Sequence, residues 1–471
     1  MSTGRPHDTQ EGHAAADALL RDEAVPRPLL PGAGPDAWLA FEQRIRHAGR
    51  MPLLPDPEVR LCHPSGYVRE EALGEAALGG APAPPELIAI RTADWVWPVR
   101  ERARRLLDRA LAADPVGTLT ALTPLVLRLG RREQGAWVLK RFETALRTEP
   151  GSASVVLAAH TALHDSADPP TRRFAARLTV AAGGTGVREL ARRAAGEPDP
   201  ATARLWTDAA LRALATDGPD HEAIDTLLDG HGPMVRAAGV TALRGAGRAG
   251  EAGRHLTDRS GLVRACARWL VSQGGGDPSA RYLALVTAPG PLSPYAVTGF
   301  SECAKRADTP LLRSLLDHPH GAVRAAAVAG LRRLDDATDD TLLLPLLDDP
   351  SASVAREAAL SLLPVARRLD HGHLSERLGH ERPPHVRRSA FRLLRARDGI
   401  DGLRAAVTVA TDPDPALRTM ARAVVVGWNW QATLRLGDAD LPELAGLLER
   451  SAHLFGDHEL GVRRSRLGLT D

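Results

Sequence analysis

Three residue patterns in this chain have the types and spacing that chemistry needs. Histidine precedes glutamate at His221-Glu222, His380-Glu381 and His458-Glu459, and the run "LDHGHLSERLGHERPPH" gathers His371, His373, His380 and His385. Imidazole and carboxylate ligands hold a transition metal only where several converge on one point. Tryptophans form the second pattern: Trp95 and Trp97 in "DWVWPV", Trp206, Trp269, and Trp428 and Trp430 in "WNW". Exposed indoles could stack on bases or anchor a partner. The third pattern is arginine at helical spacing. Arg388, Arg392 and Arg395 lie at i, i+4 and i+7, Arg102, Arg105 and Arg109 form a similar stripe, and Arg332 and Arg333 close another apolar segment. Such faces could hold an acidic protein segment, or a nucleic-acid backbone by counterion release. No GxSxG, P-loop, HExxH, or GxGxxG after a strand occurs, and "GGTG" (183–186) and "GGG" (274–276) read as loops. No catalytic residue, metal site or cofactor follows from these motifs.

The elements that must position these residues repeat along the chain. "DHPHGAVRAAAVAGLRRL" (317–334) has relatives at 63–73, 94–107, 230–243, 258–270, 349–363, 381–394 and 412–425, with weaker copies at 168–178 and 199–211. Each is a polar or Pro/Gly turn, then Val or Leu, Arg, a short gap, Ala and Leu. Val323, Val354, Val386 and Leu417 succeed one another at about 31 residues, as do Val68 and Val99. A degraded copy lies near Tyr295. A second amphipathic segment, such as "TPLLRSLLDHP", precedes each turn. The unit is therefore helix A, a turn and helix B, with Asp and Pro at the turn supplying an N-cap and a fixed φ. Val323, Ala327, Gly330 and Leu331 make one stripe on helix B, where small side chains let neighbouring helices approach. One helix pair encloses no core, so stability must come from stacking. The expected fold is all-α, a solenoid of stacked antiparallel helix pairs. Residues 36–435 are expected to form it, with 112–165 matching the repeat poorly. Residues 1–35, rich in Gly, Pro, His and acid, are expected to be disordered, and 436–471 to be capping helices.

Composition supports this reading. Aromatic residues are only 4% of the chain and charged residues 25%. Basic side chains are almost all arginine, with only Lys140 and Lys305 as exceptions. Net charge is +2, so no global field favours nucleic acid or membrane. Yet the sign is segregated: helix B segments carry the arginines, while helix A and turn segments such as "LDDATDDTLLLPLLDDP" carry the acids. Three scattered cysteines, Cys62, Cys266 and Cys303, argue for neither a disulfide framework nor a zinc site. The first residues do not read as a signal peptide, and no apolar run is long enough to span a bilayer. A cytoplasmic monomer is the expectation.

The pattern D-x-x-x-x-V-R-x-x-A-x-x-x-L resembles HEAT repeats, particularly the short bacterial form related to phycobilin-lyase-type repeats. The resemblance covers roughly residues 57 to 430. It departs at Val354, which Ala355 follows with the arginine displaced to Arg356, and at Leu417, which replaces valine. It implies a ladder between successive repeats, with Asp317 and Arg324, and Asp258 and Arg264, in the acid and arginine roles. It also implies that helix B lines a concave face, which would make a basic inner groove.

HEAT-like enzymes bear on the other two patterns. Deoxyhypusine hydroxylase, similar in fold, holds di-iron with His-Glu pairs, but the three pairs here fall at different repeat positions and should not meet. HEAT-like DNA glycosylases line a groove with Trp and Asp, a constellation that matches nothing here residue by residue. Packing between repeats is the expected role of the tryptophans, and turn surfaces that of the histidines. The expected function is a non-enzymatic scaffold binding an acidic segment of another protein through Arg102, Arg105, Arg109, Arg332, Arg333, Arg388, Arg392 and Arg395. The alternative is a nucleic-acid-binding solenoid, in the extreme a glycosylase-like one.

Overall fold

The computed structural model describes residues 6–23, 25, 27–52, 56–79, 83–147, 153–334, 340–397, 400–428 and 441–468. All regular structure among them is helical, as α-helices joined by turns and short 3-10 segments. The chain divides into two compact units, Met1–Ala246 and Gly247–Asp471.

Helix starts follow the turn chemistry. Asp168, Asp199, Asp277 and Asp414 each precede a proline that opens a helix, and each side chain accepts a backbone N–H of the first turn. The missing proline N–H is one that the first turn leaves unpaired in any case.

In the first unit, Pro57–Cys62 with Gly66–Ala77, Pro85–Arg91 with Trp97–Ala113, Val187–Gly196 with Pro200–Thr216, and His221–Leu228 with Pro233–Ala242 form helix pairs. The stretch that matches the repeat poorly is also helical: Pro115–Leu129, Ala136–Leu146 and Ala153–His164. In the second unit, the B helices Pro294–Ser301, Gly321–Arg333, Ala352–Leu362 and Pro384–Arg395 pack one on the next. Their valines and alanines are the core. Val323, Ala327, Leu331, Val354, Ala358 and Ala390 have no exposed surface. Gly330 lies against Ser301 of the preceding B helix and Leu312 of its own helix A, so the small-residue stripe is a packing surface as expected.

Two expectations need correction. Residues 6–20 of the segment expected to be disordered form the helix Pro6–Leu20, which packs on Pro35–Arg46. Ala16 and Leu19 are buried there, and Gly12 permits backbone contact: a Cβ at that position would stand 2.1 Å from the Ala37 carbonyl oxygen. The second concerns the tryptophans. Trp206 is buried, but Trp95 and Trp97 are exposed. Trp430 lies outside the described residues, as do 436–440, and after them come the helices Leu441–Arg450 and Asp457–Arg466.

Candidate functional site: arginine clamps and the cations left over

The first arginine of helix B has a fixed job. Arg69, Arg100, Arg172, Arg236, Arg264, Arg324 and Arg418 each donate from Nη1 to the backbone carbonyl six residues earlier, closing their own turn. Four arginines also grip the acid 25 or so residues ahead in side-on, two-toothed fashion through Nε and Nη2. These pairs are Arg69 with Asp94 (3.0 and 2.9 Å), Arg172 with Glu197 (3.1 and 2.9 Å), Arg324 with Asp349 (2.9 and 2.7 Å) and Arg387 with Asp412 (3.0 and 2.7 Å). The same acids accept the backbone N–H two residues on: Val96, Asp199, Ser351 and Asp414. One carboxylate thus shapes its own turn and binds the repeat before it. Paired guanidinium and carboxylate forks match geometrically, which favours arginine over lysine.

The ladder residues implied by the resemblance shift accordingly. Arg324 bonds Asp349, and Asp317 is exposed one residue before the clamp position. That position, five before the valine, is filled by His318, whose Nδ1 accepts the His320 N–H in place of a carboxylate oxygen. Arg264 donates to the carbonyl, not the carboxylate, of Asp258, and its acid is Glu302, shared with Arg268. Burial opposes charge on Glu302, but both guanidiniums hold its carboxyl below the usual range.

The eight arginines expected to face a partner divide. Arg388 is committed to Asp414 through two bonds of 2.5 Å. Arg332 is committed to Glu357 at 2.6 Å and to the Ser361 hydroxyl. Arg102 pairs with Glu70 at 3.1 Å. Arg105, Arg109, Arg333 and Arg395 are exposed, with no ion pair among the described residues. Arg392 is half-buried, and its guanidinium is pushed below its ordinary pKa by burial and by the like charges of Arg356 and Arg395. Arg356, 63% exposed, was missing from the expected set. It is the displaced arginine of the irregular repeat: Ala355 is buried where the clamp arginine would stand, so Arg356 turns outward. Arg332, Arg356 and Arg392 thus neighbour one carboxylate, Glu357, and Arg395 lies close to Arg392, on three successive B helices.

A second charged cluster was not legible in the sequence. Arg91, fully buried, donates to Asp94 at 2.9 Å and to Glu42 at 2.5 Å. Arg46 and Arg132 also reach Glu42, at 2.5 and 3.2 Å. Trp95 lies over the guanidiniums of Arg46 and Arg69, at 4.3 and 4.6 Å. Burial disfavours the Glu42 carboxylate, yet Arg91, Arg46 and Arg132 together hold its pKa at about 2. A carboxyl depressed on folding contributes stability above its unfolded pKa and loses it as pH falls through the folded value. Stability is therefore expected to decline as pH drops from about 4.5 towards about 2. Glu42→Gln should be less stable at neutral pH and show a flatter decline across that window. Urea unfolding at stepped pH reads both.

The histidines disperse. His371 contacts Asp401 at 3.7 Å, His385 donates to the Asp349 carbonyl at 3.0 Å, and His373 and His380 are exposed. No group of three or more His, Cys, Asp or Glu able to hold a metal occurs among the described residues. Cys62 is buried, its thiol pushed up to about 12 by desolvation, so it is no nucleophile at neutral pH. No described helix is long and apolar enough to cross a membrane.

Comparison with known proteins adds to this geometry. Residues 295–363 match the family model for HEAT repeats, the span from Pro294–Ser301 through Ala352–Leu362. No curated protein matches the chain. Solved structures align along it at low similarity. A chain of the Kap95p–RanGDP structure is 11% identical with a TM-score of 0.37, covering 98% of this chain and 68% of its own. Yeast importin-beta (Kap95p) is 12% identical with a TM-score of 0.30, over 98% and 72%. UNC-45 from Drosophila melanogaster is 12% identical with a TM-score of 0.24, over 98% and 69%. The matched repeats carry the Arg324–Asp349 clamp, and its counterparts recur before and after them. Residues 295–363 of this chain are thus similar to HEAT repeats.

Proposed function

We propose that this protein is a non-enzymatic scaffold that holds an acidic segment of a partner protein on the exposed B-helix arginines, with Arg356, Arg392 and Arg395 at the centre. The observation that carries this reading is the like-charge crowding of those three residues, with Glu357 the one acid recorded beside them among the described residues. Clamp arginines such as Arg69, Arg172, Arg324 and Arg387 are each matched to an acid, whereas Arg392 and Arg395 have no ion pair among the described residues. Bringing an acidic side chain between Arg392 and Arg395 relieves repulsion that the chain itself leaves uncompensated. Arg333, and Arg105 and Arg109 in the first unit, offer further exposed guanidiniums for the same chemistry.

A fluorescent glutamate-rich peptide should bind the purified protein, more weakly as salt rises. Arg356→Glu/Arg392→Glu/Arg395→Glu should weaken it at least tenfold, about 1.4 kcal/mol, with circular dichroism unchanged. Unchanged affinity in the triple variant would dismiss this surface. Single-stranded DNA binding more tightly than the peptide would transfer the surface to nucleic acid.

A further inference from the structure

A second site lies where the repeat pattern is weakest. Between the helices Ala153–His164 and Pro169–Ala182, near the end of Ala136–Leu146, is a cavity of about 680 Å³. Its walls are largely apolar, with Leu146, Val156, Leu157 and Leu178 prominent. That volume falls within the usual range for small-molecule sites. Val156, Ala159 and Leu163 bury one face of the helix Ala153–His164, while Leu157 remains exposed beside the cavity.

The polar groups inside orient one another. His160 Nε2 lies 3.1 Å from the Leu146 carbonyl oxygen, which can only accept, so the ring donates there and leaves Nδ1 with a lone pair. Thr179 Oγ1 stands 3.5 Å from that Nδ1 and 3.1 Å from His164 Nε2. Burial, with Arg193 and His160 nearby, pushes the His164 pKa down to about 4, so that imidazole is neutral at physiological pH.

Fixed charge lies at the rim. Arg147 is exposed, with no ion-pair partner among the described residues, and Arg193 reaches Glu189 at 2.8 Å, a carboxylate also shared with Arg192. Of the lining residues, Arg147 and Arg193 set against Glu189 leave one positive charge in excess. An apolar cavity with a few polar groups on its wall and one surplus cation at its mouth suits an amphiphile with a single negative head. We infer that this cavity binds a small amphipathic carboxylate, its acyl or aryl body against Leu157 and Leu178 and its carboxylate at Arg147 and Arg193.

Calorimetric titration of the full chain with octanoate and with octanol tests this. Octanoate should bind, octanol at least tenfold more weakly, and Leu157→Glu should abolish octanoate binding. Leu157 is 68% exposed, so that variant should keep the native circular dichroism spectrum. The Arg356/Arg392/Arg395 reversal should bind octanoate as the wild type does, which separates this site from the scaffold reading. No octanoate binding, equal affinity for octanol, or binding retained in Leu157→Glu would overturn the inference.

Discussion

Replacing Asp94 by asparagine is expected to destabilise the protein by about 3–5 kcal/mol, the cost of leaving a buried charge unpaired. Asp94 and Arg69 have no exposed side-chain surface, and Asp94 also holds Arg91 and the Val96 N–H. Asparagine keeps the shape and one acceptor oxygen, so the backbone cap survives. Neutralisation instead leaves Glu42 as the single carboxylate against Arg46, Arg69, Arg91 and Arg132. Contrast comes from Arg188, which is 57% exposed where it meets Asp220. Arg188→Gln should leave the unfolding midpoint essentially unmoved, since water already solvates that pair. Denaturant titration of both variants checks the difference. A small effect at Asp94 would mean that the clamps do not hold the repeats together.

Gly299→Val is expected to be the most damaging change in the second unit. A Cβ at Gly299 would stand 2.3 to 2.5 Å from the Tyr282 ring and hydroxyl. Tyr282 is wholly buried, and its hydroxyl donates to the Leu256 carbonyl at 2.7 Å, so the ring has nowhere to retreat without losing that bond. Overpacking costs about 1–3 kcal/mol and an unpaired buried polar group about 1–3 more. The two penalties together should lower the midpoint clearly. Tyr282→Leu/Gly299→Ala should recover part of the loss, because the ring carbons that the added Cβ meets are then gone. No recovery in the double variant would place the strain elsewhere.

Much of the fold is legible in the sequence because stacking leaves a period. Val323, Ala327 and Leu331 are periodic since each B helix meets the next at the same place, and Asp-Pro turns mark helix starts because capping is local. The helix Pro6–Leu20 is not legible, as its residues give a poor helical stripe and its stability comes from contact with Pro35–Arg46. The pairing of arginines is also illegible. Arg324 lies near Asp317 in sequence, but the stacking of repeats delivers Asp349 to it instead. Arg388 and Arg392 sit on one helix at i and i+4, yet only Arg388 finds a carboxylate, because the next repeat presents Asp414 there. The displaced arginine after Val354 was the available clue to Arg356: a broken clamp releases a cation.

The claim that the Arg356, Arg392 and Arg395 group is a docking surface rests on its sign, so inverting the sign is the most direct measurement. Fluorescence anisotropy would compare a glutamate-rich and a lysine-rich peptide of equal length on the wild type and on Arg356→Glu/Arg392→Glu/Arg395→Glu. The wild type should prefer the glutamate peptide, and the triple variant should reverse that preference. The same preference in both proteins would contradict the account.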